Sequence, residues 1–287
     1  MLFHITHGTR YEYSRRVRLG PHVLRVRPRA DGIQRILRFD LQIEPRPRGA
    51  PEGLDAEGNS VVEPWFDGEV SAFAVVASME VETLRRNPFD FLVAPSSRKL
   101  PLQYSPEEGI RLAGSLATAE SWRDGPVAEL AAAVAREADG ETMAFLVLLA
   151  RRIQQHCPSA IRIEGDPLAP EETLERRSGS CRDLAVLFLA ACRSQGLAAR
   201  FVTGYHAGGP ARTDRYLHAW AEVYIPGGGW RGFDPTRGLA VADEHVAVAA
   251  SADFRGAAPI TGTLIGAEAT STMRAEIDIR VLRRIPQ

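Results

Sequence analysis

Three residues of this 287-residue chain, Cys181, His218 and Asp234, have the types and spacing needed for acyl transfer through a cysteine thioester. A thiol at its ordinary pKa is mostly protonated at neutral pH, so a nucleophilic cysteine needs surroundings that favour the thiolate. Cys181 lies in Ser178-Gly179-Ser180-Cys181-Arg182-Asp183-Leu184. Ser180 and Asp183 have the Ser-x-x-Asp spacing of a capping box, which predicts a helix with Cys181 in its first turn. There the unpaired N–H groups and the positive end of the helix dipole favour a thiolate, and the same donors suit an oxyanion. Leu184, Ala185, Leu187, Phe188 and Ala191 are apolar enough to bury that helix and hold its tip at a defined point.

His218 begins the alternating stretch His218-Ala219-Trp220-Ala221-Glu222-Val223-Tyr224, and Asp234 ends Trp230-Arg231-Gly232-Phe233-Asp234. Both are equidistant from Pro226. A hairpin reversing around Pro226-Gly227-Gly228 therefore sets them directly opposite on one face, with Cβ atoms about 4.5–5.5 Å apart. That suits a carboxylate accepting the imidazole N–H and fixing its tautomer. The same register sets Trp220 opposite Gly232, and a slip of one residue would turn Asp234 away. Each residue also has an ordinary explanation: a packed cysteine, a satisfied core histidine, a turn aspartate before Pro235. Their joint occurrence favours chemistry.

Other residues carry less. Cys192 shares a helical face with Cys181 and reads as core, while His156 and Cys157, beside Pro158, lack a second ligand pair. No C-x-x-C, H-E-x-x-H or EF-hand spacing occurs, so neither a metal nor a cofactor is expected. His206 and the loop from Ala207 to Arg215 are placed to border a cleft, and Glu222 reads as a cross-strand polar residue.

The elements that must position these groups fall into a β half and an α-then-β half. Leu37, Phe39, Leu41 and Ile43 alternate with polar residues, and Val23–Arg27 and Phe73–Glu82 are similar runs. Turn signals at Asp31-Gly32, Pro45 to Pro51, Glu57-Gly58-Asn59 and Asp67-Gly68 separate them, which predicts an antiparallel sandwich-like domain over residues 1–90. Residues 91–125, with Pro101 and Pro106, read as a linking segment. Residues 126–287 then form an α+β core. Val127, Leu130, Ala131 and Val134 mark one helix, and Phe145, Leu149 and Ile153 a second. The stretch from Cys157 to Leu174 reads as loop with a short strand at Ile161–Ile163. The cysteine helix runs to Gln195 and stops at Gly196. Strands follow over 199–205, 217–225 and 229–233, and a last strand alternates Met273, Ala275, Ile277, Ile279 and Val281.

The totals limit the rest. Net charge is −1, so nothing favours nucleic acid or an anionic membrane. Hydrophobic content of 45% and charged content of 25% are ordinary for a globular chain. Three cysteines without framework spacing argue against a disulfide scaffold and for a reducing compartment. The first residues show no basic-then-apolar leader, so a cytoplasmic location is expected.

At Gly179-Ser180-Cys181-Arg182-Asp183, His218-Ala219-Trp220-Ala221-Glu222-Val223 and Gly229-Trp230-Arg231-Gly232-Phe233-Asp234-Pro235-Thr236 the chain resembles the transglutaminase-like superfamily, a branch of the papain-like cysteine enzymes. Arg25-Val26-Arg27-Pro28-Arg29, Asp55-Ala56-Glu57-Gly58-Asn59 and Asn87-Pro88-Phe89-Asp90 resemble the β domain that precedes this core in a bacterial subfamily. The resemblance implies a cysteine helix packed on an antiparallel sheet. It also implies roles: Cys181 as nucleophile, His218 as general base and acid, and Asp234 as the orienting group. The expected activity is a peptidase or amidase acting on a peptide or isopeptide amide. Glutamine transamidation and a non-catalytic protein-binding module are the alternatives.

Overall fold

The computed structural model describes residues 1–208, 216–266 and 268–283. The N-terminal half is antiparallel β: β1 (Leu2–Leu24), β2 (Gln34–Glu44), β3 (Glu52–Leu54), β4 (Ser60–Val62) and β5 (Val70–Thr83). Six helices follow among the described residues: α1 (Pro106–Arg111), α2 (Ala113–Leu116), α3 (Pro126–Glu137), α4 (Thr142–His156), α5 (Pro170–Arg176) and α6 (Cys181–Ser194). A second sheet uses β6 (Ala199–His206), β7 (His218–Ile225), β8 (Gly229–Asp234), β9 (Leu239–Ala240) and β10 (His245–Ser251) in the order β10-β6-β7-β8-β9. β11 (Ile260–Ile265) and β12 (Ser271–Arg283) return to the first sheet.

The sequence places the last strand with the core, but β12 pairs antiparallel with β1, Phe3 meeting Val281 and Ile5 meeting Ile279. An alternating strand announces which face is apolar, not which sheet will receive it. The N-terminal half of β1 is flanked by β5 on one side and β12 on the other, and Phe3 and Ile5 are buried between them. In β2 the alternation holds through Phe39, Leu41 and Ile43, but the ladder shifts between Ile36 and Arg38, and Leu37 is half exposed at that bulge.

Residues 91–125, expected to link, are packed instead. Phe91, Val93, Leu100 and Tyr104 lie against the core under α6. The Tyr104 hydroxyl accepts from Ala198 N–H at 2.9 Å and donates to the Tyr224 carbonyl at 3.2 Å. α3 and α4 fall where their periodicity puts them, with Val127, Ala131, Val134, Phe145, Leu149 and Ile153 buried. The short strand expected at Ile161–Ile163 does not form: both side chains are exposed. α5 forms within the stretch read as loop. Pro170 at its first position and Glu171 and Glu172 in its first turn are the start signals, and Arg177 closes it in the left-handed region at φ 49°.

The two halves share a core. Tyr205, Val246 and Val248 of the second sheet pack with Phe3, Ile5, Phe73, Val75 and Met79 of the first. β10 is an edge strand, and side-chain amides from the N-terminal half meet its outward backbone groups. Gln34 accepts from Ala247 N–H at 2.9 Å and donates to the Ala247 carbonyl at 2.7 Å. Asn59 does the same for Ala250, at 2.8 and 2.9 Å.

Candidate active site

α6 begins at Cys181, with Ser180 as its N-cap in an extended conformation. The Asp183 carboxylate accepts from Ser180 N–H at 2.6 Å and from Ser180 Oγ–H at 2.8 Å, closing the helix start as the spacing predicts. It does more than the motif requires. Fully buried, it also accepts from Leu168 N–H at 2.7 Å and from Arg162 at 2.5 Å, so one carboxylate ties the helix tip to the preceding loop. Arg182 braces the same loop by donating to the Gly165 and Arg162 carbonyls. A Cβ on Gly179 would stand 2.9 Å from the Asp183 Cβ, so glycine is required for this close approach.

β7 carries His218 and β8 carries Asp234. Their pairing differs from the expected register: the hairpin closes on Ile225 and Gly229 and is centred on Gly227, one residue later than the sequence symmetry suggests. Ala221 therefore faces Phe233, and Glu222 rather than Trp220 faces Gly232. The shift is even in cross-strand partner, so the face is conserved, and His218 and Asp234 meet diagonally instead of directly. His218 Nε2 stands 2.7 Å from Asp234 Oδ2. The small residue that accommodates the Trp220 ring is Gly204 of β6, where a Cβ would lie 2.7 Å from the indole. Glu222 is a cross-strand partner as expected, accepting two bonds from Arg200 at 2.6 and 2.8 Å.

Asp234 is fully buried and its carboxylate is saturated. Oδ1 accepts from the N–H groups of Thr236 at 2.9 Å and Arg237 at 3.2 Å, while Oδ2 meets His218 and, at 3.0 Å, His245 Nε2. Pro235 has no N–H, so the Asp-Pro-Thr turn presents to the carboxylate only the two donors that follow it.

The charges settle accordingly. Burial opposes ionisation of Asp234, but the His218 cation and bonds from both histidines hold its carboxyl below the usual carboxylate range. Burial likewise opposes charge on His218, yet Asp234 and the Cys181 sulfur push its pKa up to about 10. For Cys181, burial would raise the thiol, but the hydrogen bond and charge of His218, the Ala219 N–H and Arg182 bring it below its ordinary value. Its Sγ also lies 3.9 Å from the Leu217 carbonyl. Cys192, at the far end of α6, is buried with its thiol well above the ordinary value, and burial raises the Cys157 thiol as well.

Cys181, His218 and Asp234, singled out from sequence, are thus brought together. His245, which sequence reasoning passed over, joins them. Its signal was the apolar run Val246-Ala247-Val248-Ala249-Ala250, long enough for a buried strand that would carry His245 at its start. His206 lies beside both histidines, with ring centroids 5.8 Å from His218 and 4.5 Å from His245, while residues 209–215 of the loop expected at the cleft fall outside the described residues. The ligating atoms of His218, Asp234 and His245 lie within 4.8 Å of one another, the spacing a metal ion would need. Both histidines meet Asp234 Oδ2 through hydrogen bonds.

A first-turn cysteine on a helix packed against an antiparallel sheet that presents a histidine and an aspartate defines a cysteine-enzyme type of core, here behind an N-terminal antiparallel sheet. Comparison with known proteins agrees. Residues 3–82 match the bacterial transglutaminase-like N-terminal region, and residues 128–235 match the transglutaminase-like superfamily core. The chain belongs to the transglutaminase-like superfamily, in the bacterial form with this N-terminal region.

An uncharacterized protein of Mycobacterium tuberculosis is 33% identical over 118 residues, 38% of this chain and 38% of that protein's length. One from Mycobacterium leprae is 32% identical over 104 residues, 34% of this chain and 37% of its own. The chain therefore aligns with less than half the length of these relatives. The solved structure named "Putative Cysteine Protease from Cytophaga hutchinsonii" superposes with a TM-score of 0.71 at 20% identity, covering 100% of this chain and 93% of that one, a likeness of fold.

Proposed function

We propose that this chain is a cysteine-dependent hydrolase that cleaves a peptide or isopeptide amide through a thioester. The observation that carries the reading is His218 held between the Cys181 sulfur and the buried Asp234 carboxylate. The Cys181 thiolate attacks the amide carbonyl, and N–H groups at the tip of α6 stabilise the oxyanion. As the C–N bond breaks, the His218 imidazolium gives its proton to the leaving amine, and the acyl group remains on sulfur. His218, now neutral, takes a proton from water as that water attacks the thioester. The C–S bond breaks, the acid is released, and the thiolate–imidazolium pair returns. Asp234 keeps the imidazole oriented and stabilises its charge.

Transamidation shares the first half of this sequence, with an amine in place of water. Two buried cysteines and the absence of framework spacing fit a reducing compartment, and we place the activity in the cytoplasm on that ground. No helix among the described residues is long and apolar enough to cross a membrane. Incubation with a glutaminyl peptide and a labelled primary amine separates the outcomes. Ammonia released without label incorporation is the result expected; incorporation would make the chain a transamidase. Turnover undiminished in Cys181→Ala would remove the thioester altogether.

A further inference from the structure

We propose that His245 is a positioning residue of this site: a neutral imidazole that donates its Nε2 proton to Asp234 Oδ2, sharing and fixing the carboxylate that holds His218. The proposal rests on the thioester reading for its meaning in catalysis, but not for its structural content.

The geometry is specific. His245 is the first residue of β10, two strands away from β7 in the sheet, and its side chain is only 2% exposed. Its Nε2 is 3.0 Å from the same oxygen that His218 approaches at 2.7 Å. A carboxylate oxygen only accepts here, so His245 must carry its proton on Nε2. Its Nδ1 has no partner among the described residues, which costs less as a bare acceptor than as the unmet N–H of a buried cation.

The groups facing His245 reinforce neutrality. Asp234 on β8 supplies a single negative charge, and His218 on β7 already answers it. His206 of β6 stacks edge-on at 4.5 Å, and the Arg237 guanidinium after β8 stands 2.9 Å from His206 Nδ1. Glu244 faces His206 at 3.6 Å from the neighbouring turn. Trp220 closes the remaining side with its ring centroid 5.2 Å away. Burial, opposed by Asp234 and assisted by His218 and Arg237, lowers the His245 pKa.

Two imidazoles on one oxygen are therefore unequal. His218 is the charged one that reaches the sulfur; His245 is the neutral one behind it. A second donor spreads the carboxylate charge and loosens its hold on the His218 proton. A group with its pKa at about 10 is a sluggish general acid, so this sharing favours proton release to a leaving amine.

The brace is tied to the N-terminal half. Gln34 clamps Ala247, two residues along β10 from His245, and Thr83 Oγ donates to the Asp243 carbonyl at 2.7 Å, two residues before it.

Imidazole nitrogen NMR on the intact protein tests the assignment. His245 is expected neutral at pH 7, with its proton on Nε2. In His245→Phe, the His218 titration should move up by about half a unit to one unit. His245→Gln, which returns an N–H at similar reach, should bring it back. A charged His245 at pH 7, its proton on Nδ1, or an unmoved His218 titration in folded His245→Phe would overturn the proposal. If that variant does not fold, the wild-type tautomer and charge still decide. Should Cys181→Ala retain turnover while His245 behaves as stated, the thioester reading fails and the positioning assignment stands.

Discussion

The two halves of the molecule bury polar groups for different purposes. In the helix-and-sheet half, the buried groups are ionisable: Asp183 pins the tip of α6, and Asp234 collects two histidines and two backbone donors. In the N-terminal half, the groups that reach across include the neutral amides of Gln34 and Asn59, spent on the backbone of β10, beside His7 on the Tyr205 hydroxyl and Thr83 on the Asp243 carbonyl. The first arrangement sets protonation states, because a charge out of water shifts every neighbour's pKa. The second sets position, because an amide can satisfy both groups of an edge-strand residue without adding charge. Chemistry and scaffolding are thus divided between the halves, and β10 is where they meet.

The largest effect expected from breaking this division is on the chemical side. Cys181→Ala should reduce amide turnover by at least about 10⁴-fold with the melting temperature little changed, measured on whichever peptide substrate is found. Asp234→Asn should cost about 10³- to 10⁴-fold, because an amide no longer selects the imidazole tautomer or balances its charge.

The same substitution sharpens the electrostatic half of the comparison through pH. The folded His218 pKa lies above its ordinary 6.5, so its contribution to stability is fully present below 6.5 and lost as pH rises through about 10. Asp234 is lowered from 3.8, so its contribution is present above 3.8 and fades as pH falls through its depressed folded value. Wild-type turnover should therefore show its alkaline limb near pH 10, where the imidazolium is lost. In Asp234→Asn that limb should move toward neutrality, and denaturant midpoints at pH 7 should fall.

On the scaffolding side, Asn59→Ala leaves the Ala250 N–H and carbonyl without their partner and should cost about 2–4 kcal/mol in chemical denaturation. The folded fraction should keep the wild-type pH midpoint for Cys181 alkylation. A moved midpoint would show that the N-terminal half tunes charge as well as position.

The division also explains what was legible in the sequence. Cys181, His218 and Asp234 carry local signals, a capping box and a hairpin with matched parity, and parity survived a register centred on Gly227 rather than Pro226. α3, α4 and α6 were legible because helical periodicity repeats over several turns. His245 lies close to Asp234 in sequence but outside the hairpin that pairs His218 with it, on a strand that joins the other side of the sheet. Gln34 and Asn59 were not legible, because each acts on a partner far away in sequence: Asn59 meets Ala250 across 191 positions and Gln34 meets Ala247 across 213. No local pattern encodes such a partner. The same reason misplaced β12, whose alternation was plain and whose sheet was not.

The central claim is that the sulfur at the tip of α6 is ionised by His218 while the other two thiols are not. Site-resolved mass spectrometry of iodoacetamide labelling across pH tests it directly. The structure predicts that Cys181 labelling rises at a pH below the ordinary thiol value, with Cys157 and Cys192 unlabelled in the folded protein. A Cys181 that reacts only as pH approaches the ordinary thiol value of 9.0 would contradict the account.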